Sequence, residues 1–187
     1  MRPDIRKRRG RGVIIVEMAL YMLALLVMLV GLFEVSRLLF VWNAVQDVTR
    51  RAARAAAMTD FSDPAAMTAL RSSALFTAGR MPLAPFLDVN TLRIEYLSQA
   101  PGGGPAALTA MPACPMRNAV NCARDPNGGD CIRFVRASFC SNANGECVPV
   151  PYEPMLPLLP VNAVVPPSAT VVRAESLGRR PGMANCP

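Results

Sequence analysis

Glu17 stands alone in an apolar run: from Val13 to Phe33, 21 positions, it is the only charged residue. A carboxylate at such a place is tolerated in lipid when it is paired, protonated or near water, and intramembrane acids default to function. The chemistry it offers is a polar contact between helices, completed by a cation from a neighbouring chain. Glu34 and Arg37 come next. They sit three residues apart, the spacing that puts two side chains on one helix face and allows an ion pair. Further on are six cysteines, Cys114, Cys122, Cys131, Cys140, Cys147 and Cys186, none in a C-x-x-C pair. Zinc centres usually draw on close Cys pairs or on His. Disulfides in an oxidising compartment are therefore expected, with the pairing left open. The chain has no histidine, which removes Ser-His-Asp and Cys-His catalysis and the commonest general base. No catalytic residue, cofactor or metal is expected. The run from Asp125 to Asp130 carries oxygen ligands and glycines, but it lacks the twelve-residue calcium pattern with its closing Glu. It reads as a turn between strands.

These residues need elements to place them. The chain has 187 residues, 20 Lys+Arg against 13 Asp+Glu, and a net charge of +7. That is room for a membrane segment and one modest domain. Much of the positive excess precedes the apolar run, at Arg2, Arg6, Lys7, Arg8, Arg9 and Arg11, with Asp4 the one acid there. Alone, such a stretch suits nucleic acid. Beside a long apolar run it reads as the cytosolic flank of a membrane helix, and no nucleic-acid partner is expected. At ~1.5 Å per residue, Val13–Phe33 crosses the ~30 Å hydrocarbon core. A run this uniform has no polar face to show water. Leu38 to Val41 is apolar again and Trp42 suits an interface, so the span ends at Phe33 or near Trp42. A cleaved signal peptide with Ala55-Ala56-Ala57 as its site is disfavoured, because the apolar stretch is too long and charges intervene.

Val41, Val45, Val48, Ala52 and Ala56 recur at spacings of three and four, which predicts one helix from about Val13 to Met58. Arg50, Arg51 and Arg54 on it suit a solvated face, lipid headgroups or an acidic partner. Ser62 or Asp63 is set to cap a second helix with Pro64 in its first turn. Met67, Leu70 and Ala74 would be its buried stripe and Gly79 its end. Leu92, Ile94 and Tyr96 alternate with Arg93 and Glu95 as a strand. Pro101–Pro105 reads as a loop, Cys131–Cys140 as a second strand and Ala169–Glu175 as a third. Pro149, Pro151, Pro154, Pro157 and Pro160 punctuate an extended stretch that is neither helix nor central strand. The tail from Gly178 reads as loose, except where Cys186 ties it down. The fold class is α+β: a long N-terminal transmembrane helix extending out of the membrane, a short second helix, and a small antiparallel sheet with disulfides.

A basic leader ending in Gly12, an apolar run, and Glu17 five residues on resemble the type IV prepilin signal. The resemblance implies cleavage between Gly12 and Val13 by a prepilin peptidase, with the helix kept on the mature chain. It also implies that Glu17 meets the new amino terminus of a neighbouring subunit. Arg11 to Ala19, Gly31 to Arg37 (Gly-x-x-Glu-x-x-Arg), and Asn43 to Ala57 with its Arg-x-x-Ala-Arg-x-Ala-Ala run are similar to the TadE-like family. More loosely, so are Cys131-Ile132-Arg133, Tyr152, Pro157 to Pro160 and Ala169 to Glu175. That family comprises pilin-like components of the tight-adherence (Flp) pilus machinery of bacteria. One departure is Met18, where many such prepilins carry an aromatic residue.

The resemblance implies a non-enzymatic protein that takes part in assembly of a tight-adherence pilus. Its partners would be the lipid bilayer, a prepilin peptidase, and other pilins, pilin-like subunits and pilus assembly proteins. It would cross the bacterial inner membrane once, N-terminus in the cytoplasm and C-terminal domain outside. Residues 1–12 would be the cleaved leader, 13–58 the transmembrane helix and its extension, and 59–187 the extracytoplasmic domain. The rival readings are a membrane-anchored enzyme, for which no site is visible, and an anchored binding or adhesion module that never joins a pilus.

Overall fold

A computed structural model describes residues 9–76, 79–141, 146–155, 163–180 and 186. Arg2, Arg6, Lys7 and Arg8 of the basic leader, and Pro157 and Pro160 of the proline-punctuated stretch, lie outside the described residues. The fold is α+β, with three helices and six strands among the described residues: α1 (Arg9–Met58), α2 (Pro64–Ala74), β1 (Arg80–Met81), β2 (Ala84–Asp88), β3 (Leu92–Gln99), β4 (Pro105–Ala107), α3 (Pro115–Arg124), β5 (Phe134–Phe139) and β6 (Thr170–Arg173). It divides into two compact units, one of Met1–Phe40 and Pro154–Pro160, the other of Val41–Glu153 and Val161–Pro187.

α1 is 50 residues long, or ~75 Å at helical rise. It begins at Arg9, before the expected start at Val13, and runs through Gly12 without a break. A single glycine costs a helix only about 1 kcal/mol relative to alanine, too little to stop one this long. In the first unit the helix surface is apolar and bare: Val13 to Val16, Leu20, Leu23, Leu26, Leu29 and Phe33 are all more than half exposed. In the second unit the same helix turns Val41, Val45, Val48, Ala52 and Ala56 inward, all 0% exposed, on the stripe their spacing predicts.

That stripe supplies part of the second unit's core. The main sheet is antiparallel, in the order β4-β3-β5-β6. β3 and β5 pair from Leu92↔Phe139 to Leu97↔Phe134, and β5 and β6 from Phe134↔Arg173 to Ala137↔Thr170. The register aligns Tyr96, Val135 and Val172 across three strands. This row packs with Ala56 and Ala57 of α1, Met67 and Leu70 of α2, Ile132 and Leu177. The Thr49 and Thr170 hydroxyls meet at 3.1 Å, tying α1 to β6. Glycines turn the chain between β3 and β4, with Ala100 N–H bonded to the Gly104 carbonyl at 2.8 Å.

α2 starts as its cap residues predict. The Asp63 side chain accepts from the N–H groups of Ala65 and Ala66 at 2.9 and 3.2 Å, and Pro64 occupies the first turn. Its end differs from the expectation. The helix stops at Ala74, and Leu75 leaves it in an extended conformation, fully buried. Core burial of Leu75 ends the helix, and Gly79, at φ +70°, serves the turn before β1. The strands expected within Cys131–Cys140 and Ala169–Glu175 form as β5 and β6, each shorter than its apolar run. In the proline-punctuated stretch Pro151 makes one isolated bridge to Val164.

The C-terminal segment closes the exposed end of α1. Glu175 and Leu177 both donate backbone N–H groups to the Ala57 carbonyl, at 3.2 and 3.0 Å. This satisfies one of the acceptors that a helix C-terminus leaves open. Leu177 and Gly178 take positive φ, +49° and +78°, which folds Leu177 into the core.

Candidate functional site

The candidate site is the first unit's helix and the few polar groups on it. Glu17 lies on the exposed surface of α1. Its Oε1 accepts from the Tyr21 hydroxyl one turn along, at 3.4 Å. Tyr21 was readable as a partner from its i,i+4 spacing and was not singled out. A tyrosine hydroxyl does not neutralise a carboxylate, so Glu17 keeps capacity for a cation from outside the chain. Gly12 and Val13 sit in the first turns of α1, and a Cβ built on Gly12 would meet nothing within 4 Å.

Glu34 and Arg37 do pair, at 3.0 Å. What spacing did not reveal is their burial: they are 4% and 6% exposed in a helix whose neighbouring residues are bare. The Glu34 carboxylate also accepts the backbone N–H of Met155, at 3.3 and 3.4 Å to its two oxygens. This contact across 121 residues has no sequence signal. It fixes the chain at Met155 onto α1 beside the ion pair.

The six cysteines form three disulfides: Cys114–Cys186, Cys122–Cys131 and Cys140–Cys147, with Cα separations of 6.1, 4.9 and 5.0 Å. Cys122–Cys131 joins α3 to the residue before Ile132, whose N–H is bonded to Asn118 Oδ1 at 2.7 Å. Cys114–Cys186 ties the far C-terminus back to the start of α3.

Arg50 and Arg54 are exposed on α1. Arg51 pairs with Asp47 and lies 4.4 Å over the Phe76 ring, so the three arginines form a solvated face. The Asp125–Asp130 run is a turn: Gly128 N–H bonds the Asp125 carbonyl at 3.1 Å, and Asp130 pairs with Arg124 at 2.9 Å. A cavity of about 340 Å³ opens beside α3, lined by Asn118, Ile132, Arg133, Arg173, Leu177 and Arg179 among others. Among the described residues no group of three or more His, Cys, Asp or Glu side chains is placed to hold a metal. Burial pushes the Tyr96 hydroxyl up to about 12, with Arg71 opposing the shift and Asp60 adding to it. Its O–H donates to the Met67 sulfur at 3.5 Å.

A bare apolar helix long enough to cross a bilayer, in a chain that also carries a disulfide-bonded α+β unit, defines a membrane-anchorable protein. The particular resemblance is firm at the N-terminal end: residues 12–54 match the family profile described as TadE-like protein. That range includes Glu17, Glu34 and Arg37; the looser likeness from Cys131 onward lies outside it. No curated protein and no solved structure matched the chain.

Proposed function

We propose that the protein is a pilin-like membrane component that takes part in assembling a tight-adherence pilus. The observation that carries this reading is the TadE-like segment itself: a bare apolar helix with one exposed carboxylate, Glu17, near its start. The leader up to Gly12 is removed by a prepilin peptidase, which leaves a free amine at Val13. The apolar surface then holds the chain in the inner membrane and packs against like helices during assembly. Glu17 sets the packing register by meeting the amino terminus of a neighbouring subunit, since a carboxylate carried among helices in lipid needs a positive partner. The C-terminal unit stands outside the membrane, where an oxidising compartment maintains the disulfides. The protein is non-enzymatic; its work is done by packing.

The test is Glu17→Gln in a strain lacking the wild-type gene. Membrane level, the N-terminal residue of the mature chain and surface pili are measured separately. The expected result is normal insertion, a mature start at Val13, and few or no pili. Normal pili from a stable Gln variant would leave the anchored adhesion module as the better account. A mature start at Met1 would remove the processing step.

A further inference from the structure

We propose that the lipid-facing surface extends past the Glu34–Arg37 pair to Phe40, with Trp42 at the outer interface and Met155 dipping into the outer leaflet. A span from Val13 to Phe33 would leave a group of apolar side chains in water. Val35, Leu39 and Phe40 are 56%, 51% and 44% exposed, and Met155 is 52% exposed. All four belong to the first unit, and Met155 is held to α1 by its N–H bond to Glu34. Soluble surfaces seldom gather so many exposed large apolar side chains, and Val35, Leu39 and Phe40 continue along the helix whose earlier turns are bare and apolar.

The sequence objection to a longer span is the two charges, and the structure removes it. From Met18 to Phe40 the only ionisable acid or base is the Glu34–Arg37 pair. Both side chains are covered by protein, paired with each other, and the carboxylate takes a backbone N–H besides. Intramembrane charges are tolerated when they face protein and pair. The remaining polar groups are also engaged: the Ser36 hydroxyl donates to the Leu32 carbonyl at 2.8 Å, and Tyr21 donates to Glu17. Length agrees. Met18 to Phe40 is ~35 Å of helix, which fits the ~30 Å core with a modest tilt. Glu17 then lies at one headgroup region and Trp42 at the other, the level at which Trp concentrates. The occupant of the patch is therefore acyl chain, not a second protein. This inference rests on α1 entering a bilayer and not on the pilus.

Trp42 is the only tryptophan in the chain, so its fluorescence is a depth gauge. The full chain is reconstituted, with disulfides intact, in phosphatidylcholine vesicles brominated at shallow or at deep acyl positions. Two further chains carry the probe elsewhere: Trp42→Phe with Leu26→Trp, and Trp42→Phe with Met155→Trp. The expected result is that Trp42 and the probe at 155 lose most of their emission to shallow bromines and little to deep ones. The probe at 26 should be quenched most by deep bromines. Quenching at 26, with red-shifted, iodide-quenched emission from both 42 and 155, would place the boundary at Phe33 and overturn the proposal. Quenching at 42 but not at 155 would overturn the part assigned to Met155. An unquenched probe at 26 would remove the membrane span itself, and this proposal with it.

Discussion

Glu34→Ala should destabilise the protein more than replacing Glu34 and Arg37 together by leucine. The two groups are 3.0 Å apart and almost fully buried. Removing the carboxylate leaves the guanidinium in a low-dielectric site without its counter-charge, a change that costs about 3–5 kcal/mol. It also takes the acceptor from Met155 N–H, a loss of roughly 1–3 kcal/mol where the donor stays buried. The two effects overlap, because Met155 can move away and find water, so about 3–5 kcal/mol is expected in all. The double leucine variant has no orphaned charge. Apolar replacement of a whole buried pair is often neutral, so only the Met155 contact is lost. The coupling in a double-mutant cycle built from Glu34→Leu, Arg37→Leu and their combination should therefore be large, about 2–4 kcal/mol, with the double variant more stable than Glu34→Leu or Glu34→Ala. The cycle is measured on the full chain in a mild detergent by urea unfolding, with disulfides intact, followed by near-UV circular dichroism. Amide exchange at Met155 gives the local readout and should speed up in both variants. Additive single effects of about 0.5 kcal/mol or less, the level of ordinary surface substitutions, would show that the pair is solvated and the reasoning wrong.

Gly178→Ala should cost about 2–4 kcal/mol, because an L residue is strained at positive φ and an added Cβ overpacks the site. The φ is +78° and the Cβ would fall 2.8 Å from Asp60 Cα. Gly102→Ala, with open space around it, is the control, and equal urea midpoints for the two would refute this. Tyr96 gives a pH prediction. Its folded pKa is raised to about 12 from 10, so the folded state holds the proton more tightly than the unfolded chain. The contribution is full below pH 10 and is lost as pH rises toward 12. After discounting for its partial exposure, roughly 1–2 kcal/mol should disappear over that window. Tyr96→Phe should abolish that part of the alkaline loss. An unchanged pH profile in the Phe variant would assign the loss to other groups.

How much was legible in the sequence followed the strength of local pattern. The α1 stripe from Val41 to Ala56 is a strong period, and every one of those residues is buried. The Asp63 cap of α2 and the apolar/polar alternation from Leu92 to Tyr96 are local signals too; the cap and the strand form where expected, while burial along β3 does not itself alternate. α3 was missed because it buries little: Pro115 and Asn118 are its buried residues, and its place is set by Cys122–Cys131 and the Asn118–Ile132 bond. β1, β2 and β4 were missed because they are short and carry prolines or polar ends. Disulfide pairing was not readable, because Cys114 and Cys186 lie 72 positions apart and their approach is set by tertiary structure. At the candidate site, Glu17 and the Glu34–Arg37 spacing were visible, while the Met155 contact depends on a tertiary approach that no local pattern encodes.

One helix runs from a bare stretch into a packed one, and its composition changes between them. Up to Phe40 the large exposed side chains are Leu, Met, Val, Ile and Phe with Tyr21, beside the exposed carboxylate of Glu17. From Val41 onward the buried positions are Val and Ala apart from Thr49: Val41, Ala44, Val45, Val48, Ala52, Ala53, Ala56 and Ala57. Small residues let a helix backbone come close to a sheet, and alanine adds the best intrinsic helix propensity. The same α-helical hydrogen bonding runs through both stretches, from Arg9 to Met58. Within the described helix the change from bare to buried apolar positions therefore comes without a proline or a glycine break.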